Sequence, residues 1–342
     1  MRPDAILTSF VAPAGRFAPA CQPKTSRAAA AVASNGGTSG AEITTTGGPM
    51  NRLHLFLLML LLPAAAAATP LVVDTAWLAE HYRDPGVVVV DMSDDLQYRR
   101  FHVPGARHLP YGALNRRTRS GVSLSIGPAG VARVLGRLGI SPSHHVVVYD
   151  DLGGLNAARL LWELERLGHA RRSLVDGGLV KWILEGRPVT NDVPKFEPAR
   201  YPAPARAAAD TVAGLEAVRA ATTTGGAVLL DVRSREEYAG HPRAPRTGHL
   251  PGARWFPWDE AVDFDRGFVV KPVETLRKRL AAAGLGDPGR EVIVYCRSGH
   301  RATRAWLTLR RLGFGKVKVY DGSMLEYGQR KDLPLVRGMQ PR

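Results

Sequence analysis

The sequence predicts an α/β protein built from two similar domains, each a mostly parallel sheet flanked by helices. Three observations carry this. First, the apolar runs Val87–Val90, Val146–Tyr149, Val228–Leu230 and Val292–Tyr295 are unbroken and of strand length. Such runs mark strands buried on both faces, as in parallel sheets covered by helices. Second, helical patterns lie between them, which gives the alternation of an α/β fold. Third, the same order of segments occurs twice.

Taken in chain order, the first copy opens on the strand GVVVVD (Gly86–Asp91) and the second on GAVLLD (Gly226–Asp231). Next come FHVPGARHLPY (Phe101–Tyr111) and GHLPGARWFPW (Gly248–Trp258), which share PGAR. A strand then ends at Asp150 in the first copy and runs into Cys296 in the second. The helical patterns NAARLLWELERLG and RATRAWLTLRRLG follow, then a short strand and an Asp-Gly turn at Asp176-Gly177 and Asp321-Gly322. Spacing is kept as well as order: Pro104 to Asp150 is 46 residues and Pro251 to Cys296 is 45. A repeat this long reads as domain duplication. We place domain 1 at 70–190 and domain 2 at 208–338, joined by the proline-rich, extended linker 191–207. Asp94-Asp95 reads as a helix N-cap.

Residues 1–49 are a low-complexity extension rich in Ala, Gly, Ser and Thr. Residues 50–68 have the anatomy of a signal peptide: Arg52, the apolar run Leu53–Leu62, and the small residues Ala64–Ala68. The run is too short to span a bilayer. The expectation is that Met50 is the start and the mature protein is periplasmic or secreted, free of the membrane after cleavage. A transit peptide to the mitochondrion, or a cytoplasmic protein, is the rival reading.

The formal net charge is +15, and the chain beyond residue 70 still has 41 Lys/Arg against 29 Asp/Glu. No basic run with interleaved aromatics occurs, so small anions are expected as partners rather than nucleic acid. The two cysteines are Cys21, in the extension, and Cys296. One thiol in the folded part excludes an internal disulfide and a cysteine-based metal cluster. No P-loop or dinucleotide motif is present, so no cofactor and no metal are expected. His144-His145 read as a loop pair before a strand rather than a metal site, and His249 as a turn histidine.

Chemistry concentrates at VIVYCRSGHRATRAW. A strand ends at Tyr295, a loop of six residues (Cys296, Arg297, Ser298, Gly299, His300, Arg301) follows, and a helix is expected from about Ala302. A strand–loop–helix turn directs backbone N–H groups into the loop, and the helix N-terminus favours an anion. Arg297, His300 and Arg301 are expected to add positive charge, which lowers a thiol's pKa and exposes a thiolate. The flanking residues are poor core residues, which argues against a packed structural cysteine. Cys296 is therefore the candidate nucleophile, with Arg297, Ser298, Gly299, His300 and Arg301 as the candidate substrate-binding residues. Arg304 is expected to pair with an acid.

The chain from about Leu71 to Val336 resembles the tandem-domain rhodanese family of thiosulfate/3-mercaptopyruvate sulfurtransferases. DVRSREEY (Asp231–Tyr238), GHLPGA (Gly248–Ala253), the CRSGHR loop and YDGSMLEY (Tyr320–Tyr327) carry the resemblance. It implies a sulfurtransferase that takes sulfane sulfur from thiosulfate or a related donor as a Cys296 persulfide and gives it to a thiophilic acceptor such as cyanide. It also implies that domain 1, with Asp150 at the cysteine position, is inactive and shapes the mouth of the site. Arg297 and Arg301 bring the loop closer to thiosulfate-type than to mercaptopyruvate-type loops, whereas Glu237 stands where animal relatives have a substrate-contacting arginine. The alternatives are a 3-mercaptopyruvate sulfurtransferase and a non-catalytic persulfide carrier that works with a protein sulfur acceptor. A cysteine phosphatase of this fold type needs Arg at the sixth position after the cysteine, and Ala302 stands there.

Overall fold

The computed structural model describes residues 69–204, 207, 210–244 and 246–340. The extension at 1–49 and the expected signal peptide at 50–68 lie outside the described residues. The first half runs β1 (Val72–Val73), α1 (Thr75–His81), β2 (Val87–Asp91), α2 (Asp95–Arg100), β3 (Arg107–His108), β4 (Asn115–Arg117), β5 (Ser123–Ser125), α3 (Gly127–Arg137), β6 (His145–Tyr149), α4 (Ala157–Arg166), β7 (Arg172–Val175) and α5 (Gly178–Leu184). The second runs α6 (Leu215–Thr224), β8 (Val228–Asp231), α7 (Arg235–Ala239), β9 (Arg254–Trp255), β10 (Val262–Asp263), β11 (Val269–Val270), α8 (Val273–Ala282), β12 (Val292–Tyr295), α9 (His300–Arg311), β13 (Val317–Val319) and α10 (Ser323–Tyr327).

Each half holds a parallel sheet, in the order β1-β7-β6-β2-β3 and β13-β12-β8-β9. The apolar runs are its central strands: all five residues of β6 and all four of β12 are buried. Parallel pairing requires crossover connections, and these supply the covering helices. Helix starts follow the local chemistry. Asp94 caps α2 by accepting from the Gln97 amide at 2.8 Å, and Ser234 and Glu237 form a reciprocal capping box at α7. Residues 191–204 of the expected linker carry no helix or strand.

Helices α4 and α9 are buried almost all round, α9 without a break from Ala302 to Leu309. A helix of a single domain would keep a wet face. These two have none because each lies between its own sheet and the opposite half, and one apolar cluster, with Trp162 and Trp306 in it, runs through both halves.

The halves also exchange polar groups reciprocally. From α4, Arg159 reaches Asp321 of the second Asp-Gly turn at 2.7 Å, both side chains nearly solvent-free. From α9, Arg304 donates to the Gly153 carbonyl of the first half at 2.8 Å. Two antiparallel hairpins, β4–β5 and β10–β11, cross over as well. The Ser125 amide donates to Asp321 and the Val270 amide to Asp176, each at 2.7 Å. The expected acid partner of Arg304 is therefore corrected: it binds a carbonyl and the Thr308 hydroxyl, because the nearest carboxylates lie beyond ion-pair distance in a packed interface.

Candidate active site

Strand β12 ends at Tyr295 and delivers Cys296 to the carboxyl edge of the second sheet, where ligands bind in open α/β sheets. Helix α9 begins at His300, two residues before the expected start, because Gly299 takes a left-handed conformation (φ 81°) and turns the chain directly into it. No other residue fits at 299: a Cβ there would lie 2.4 Å from an Asp321 oxygen.

The corresponding loop of domain 1 shows what such a turn binds. Asp150 follows β6 as Cys296 follows β12, and four backbone amides converge on its carboxylate. Leu152 and Gly154 donate to one oxygen at 2.9 and 2.8 Å, Asn156 and Ala157 to the other at 2.7 and 2.9 Å. Domain 1 thus carries its own anion, covalently built in.

Around Cys296 the amide pattern differs. The amides of Cys296 and Gly299 donate to the Ser323 hydroxyl, each at 3.1 Å. Gly299 is the counterpart of Gly154, each carbonyl accepting from the amide four residues on. The counterparts of the other three amides that hold Asp150, those of Ser298, Arg301 and Ala302, have no hydrogen-bond acceptor among the described residues, nor has that of His300. Ser323 sits in the left-handed region (φ 49°) where domain 1 has Gly178 (φ 51°). A non-glycine residue there costs about 1 kcal/mol, and its hydroxyl is what braces the cysteine loop. Sequence reasoning missed Ser323; its signal was the Ser after Asp-Gly where the other copy has a second Gly.

The structure changes the reading of three loop residues. Cys296 is only 1% exposed and backs onto the apolar core, so the thiol is enclosed rather than presented on an open loop, while Arg297 beside it is exposed. Arg301 does not add free positive charge, because it is held in a two-pronged pair by Glu237 at 2.6 and 2.9 Å. Burial opposes the Glu237 charge, but the Arg301 guanidinium outweighs it and keeps the carboxyl below its usual range. His300 does not add charge either. Burial first, then the charges of Arg159 and Arg301, lower its pKa to about 4, so the ring is neutral at neutral pH.

His300 is held by the other domain. The Asn156 side-chain amide donates to the Met92 carbonyl at 2.9 Å, which leaves its oxygen to accept from His300 Nε2 at 2.7 Å. Tyr111 lies against the same ring, centroids 3.9 Å apart. Sequence reasoning missed both Asn156 and Tyr111: one stands in a loop, the other opens a single 3-10 turn (Tyr111–Leu114), and each meets a partner more than 140 positions away.

A cleft of about 470 Å³ opens beside the loop. Arg297, Ser298 and Leu325 line it from domain 2, and Asn115, Arg116, Arg117 and Ser123 from the β4–β5 hairpin of domain 1. Its bounding charges are cationic, and it reaches the residues that directly follow Cys296.

Comparison with known proteins agrees with this geometry. The family model described as "Rhodanese-like domain" matches the chain twice, over residues 74–185 and 215–330. The sulfur carrier protein TtuD of Thermus thermophilus is 36% identical over 285 residues, covering 78% of this chain and 97% of that protein. A thiosulfate sulfurtransferase of Azotobacter vinelandii is 31% identical over 271 residues, covering 78% and 97%. Among solved structures, the 3-mercaptopyruvate sulfotransferase SseA of Escherichia coli superposes with a TM-score of 0.65 at 26% identity, covering 75% of this chain and 99% of that one.

Proposed function

The chain belongs to the rhodanese-like domain family, with two copies of the domain, and from that premise we propose that this sulfurtransferase carries sulfane sulfur on Cys296, taking it from thiosulfate and passing it to a thiophilic acceptor such as cyanide. The observation that supports this most directly is the contrast between the two loops. One ring of amides is filled by the Asp150 carboxylate; its counterpart follows a cysteine, and three of its four amides are without acceptors among the described residues. A thiolate, and after it the terminal sulfur of a persulfide, is the anion that such a ring stabilises.

The cycle has two steps. The Cys296 thiolate attacks the outer sulfur of thiosulfate, the S–S bond of the donor breaks, and its electron pair leaves with sulfite. The acceptor then attacks the outer sulfur of the persulfide, and the cysteine sulfur departs as thiolate. Arg297, Ser298, Gly299, His300 and Arg301 form the wall of the loop. Ser298, His300 and Arg301 contribute amides, and Gly299 contributes the turn. Asp150 has no sulfur to carry, so domain 1 contributes its surface instead. The donor is small and anionic and no cofactor takes part. In keeping with the signal-like segment at 50–68, the mature protein works in the periplasm or outside the cell. N-terminal sequencing that gives a start near Thr69 supports this, and a start near residue 30 excludes it.

The deciding experiment is mass spectrometry of the Cys296 peptide after thiosulfate. A gain of about 32 Da that cyanide removes is expected, and Cys296→Ser must abolish both the gain and thiocyanate formation. Full transfer activity in that variant sinks the proposal. A second reading, a persulfide carrier that hands sulfur to a protein, is favoured by the relative named as a sulfur carrier. Single-turnover loading without steady-state turnover on small acceptors would select it. Mercaptopyruvate as the preferred donor would select the third.

A further inference from the structure

The hairpin β4–β5 belongs to domain 1 but is pinned over the cysteine loop of domain 2. Its Ser125 amide donates to Asp321 at 2.7 Å, and Gln329 Nε2 donates to the Ser120 carbonyl at its tip at 2.9 Å. Pairing Asn115 with Ser125, Arg116 with Leu124 and Arg117 with Ser123 alternates the faces of the hairpin. Asn115, Arg117 and Ser123 share one face, and all three line the cleft with Arg297 and Ser298. Arg116 pairs with Leu124 on the other face of the hairpin but also borders the cleft, whereas Arg119, in the exposed turn between the two strands, lines no part of it.

The duplication supplies an internal control. Hairpin β10–β11 is placed over the Asp150 loop in the same way: Val270 donates to Asp176 as Ser125 does to Asp321. The pairing Val262–Val270 matches Asn115–Ser125. In that register Arg117 corresponds to Phe264 and Ser123 to Phe268, two rings in edge contact at 5.0 Å. The hairpin over the self-filled loop is apolar at these positions, and the one over the cysteine carries a guanidinium and polar groups. Neither Arg117 nor Arg297 has a carboxylate at ion-pair distance among the described residues, whereas Glu237 takes up the charge of Arg301.

We propose that Arg117, supplied by the domain that lacks the cysteine, binds the oxyanion end of the sulfur donor together with Arg297, so that one substrate site is shared by both domains. This rests on the persulfide reading above. In the first step the sulfonate end of thiosulfate remains anionic as it leaves as sulfite, while the outer sulfur passes to Cys296. Arg117 touches the part that does not enter the new bond. Its contribution is therefore nearly the same before and during the transfer and appears in KM rather than kcat. Arginine suits the task because its planar fork matches an oxyanion with two donors.

The test uses the full chain with thiosulfate and with methanethiosulfonate, a monoanionic donor of the same outer sulfur. Arg117→Ala is expected to raise the thiosulfate KM about tenfold with kcat within about twofold, and the methanethiosulfonate KM about threefold. Arg117→Lys should recover part of the loss. Arg119→Ala, which removes a cation of the same hairpin outside the cleft, is expected to leave both KM values within about twofold. If wild type loads no sulfur from thiosulfate, the persulfide reading and this subsite both fall. If it loads normally and Arg117→Ala leaves KM unchanged, or Arg119→Ala raises it equally, the subsite alone is overturned and the function stands.

Discussion

Glu237 does two jobs with one carboxylate. It closes the capping box of α7 with the Ser234 amide at 3.2 Å and neutralises Arg301 from the side. Glu237→Gln keeps the first role, since glutamine serves in a capping box, and removes the second. Arg301 is then free to add its charge to Arg297 beside the donor. The thiosulfate KM should fall severalfold in steady-state assays at low ionic strength, with thermal stability nearly unchanged; a rise in KM would show that the ion pair itself holds the loop in its working shape. Asn156 acts on the next loop residue in the same indirect way. Its oxygen accepts from a neutral His300, and Asn156→Asp would place a carboxylate there. His300 is lowered to about 4 in the native protein, so it is neutral when folded but takes up a proton when unfolded between about pH 6.5 and 4, and its share of stability falls as pH drops through that window. The added carboxylate favours the charged ring and reverses the sign: the His300 midpoint should move above about 6.5 in an NMR titration. An unmoved midpoint would mean that the side chains do not meet in solution.

At the scale of elements, the loop after β6 is held together by a carboxylate standing where the other half has its cysteine. Four amides end on the Asp150 carboxylate, and Asp150→Asn, almost the same shape, turns an NH2 group toward two of them. Donor then faces donor, and the loss should be about 2–4 kcal/mol in denaturant unfolding. Because the Asn156 amide is one of the four, His300 should lose its fixed partner and activity should drop although the substitution lies in the half without the cysteine. A variant with unaltered stability and turnover would mean that the loop holds its form without the anion. The central strands β2, β6, β8 and β12 and the two loops were legible because each is a continuous apolar run ending in a polar turn, and because the chain states the pattern twice. The hairpins were not: β4 reads Asn-Arg-Arg and β10 only Val-Asp, too short and too mixed for a periodic signal. Their positions are set by bonds to the other half, from the Ser125 amide to Asp321, from Gln329 to the Ser120 carbonyl and from the Val270 amide to Asp176, a relation that no local window contains. The pairing of Arg301 with Glu237 and the neutral state of His300 escaped for the same reason, since loop composition gives the charges but not their partners.

In the molecule as a whole, duplication has produced two sheets but one interior. Helices α4 and α9 pack face to face, and the apolar cluster that contains Trp162 and Trp306 has members from both sheets, among them Val146, Val148, Val292 and Val294. Neither half can unfold without exposing the face of α4 or α9 that the other covers, and neither can release the buried Arg159–Asp321 pair without stranding a charge, a loss of about 3–5 kcal/mol. The two domains should therefore unfold in one cooperative transition, although each has the size of an independent unit. Tryptophan fluorescence and far-UV circular dichroism followed along a denaturant series should give the same midpoint. Trp306→Ala, which removes a fully buried member of the shared cluster, should cost about 3–5 kcal/mol of stability and lower that shared midpoint without splitting the curve. Two separated transitions in the native protein would show that the halves are stable alone. In that case the hairpin of domain 1 would be held over Cys296 only by docking, and donor affinity would weaken as soon as the less stable half opened.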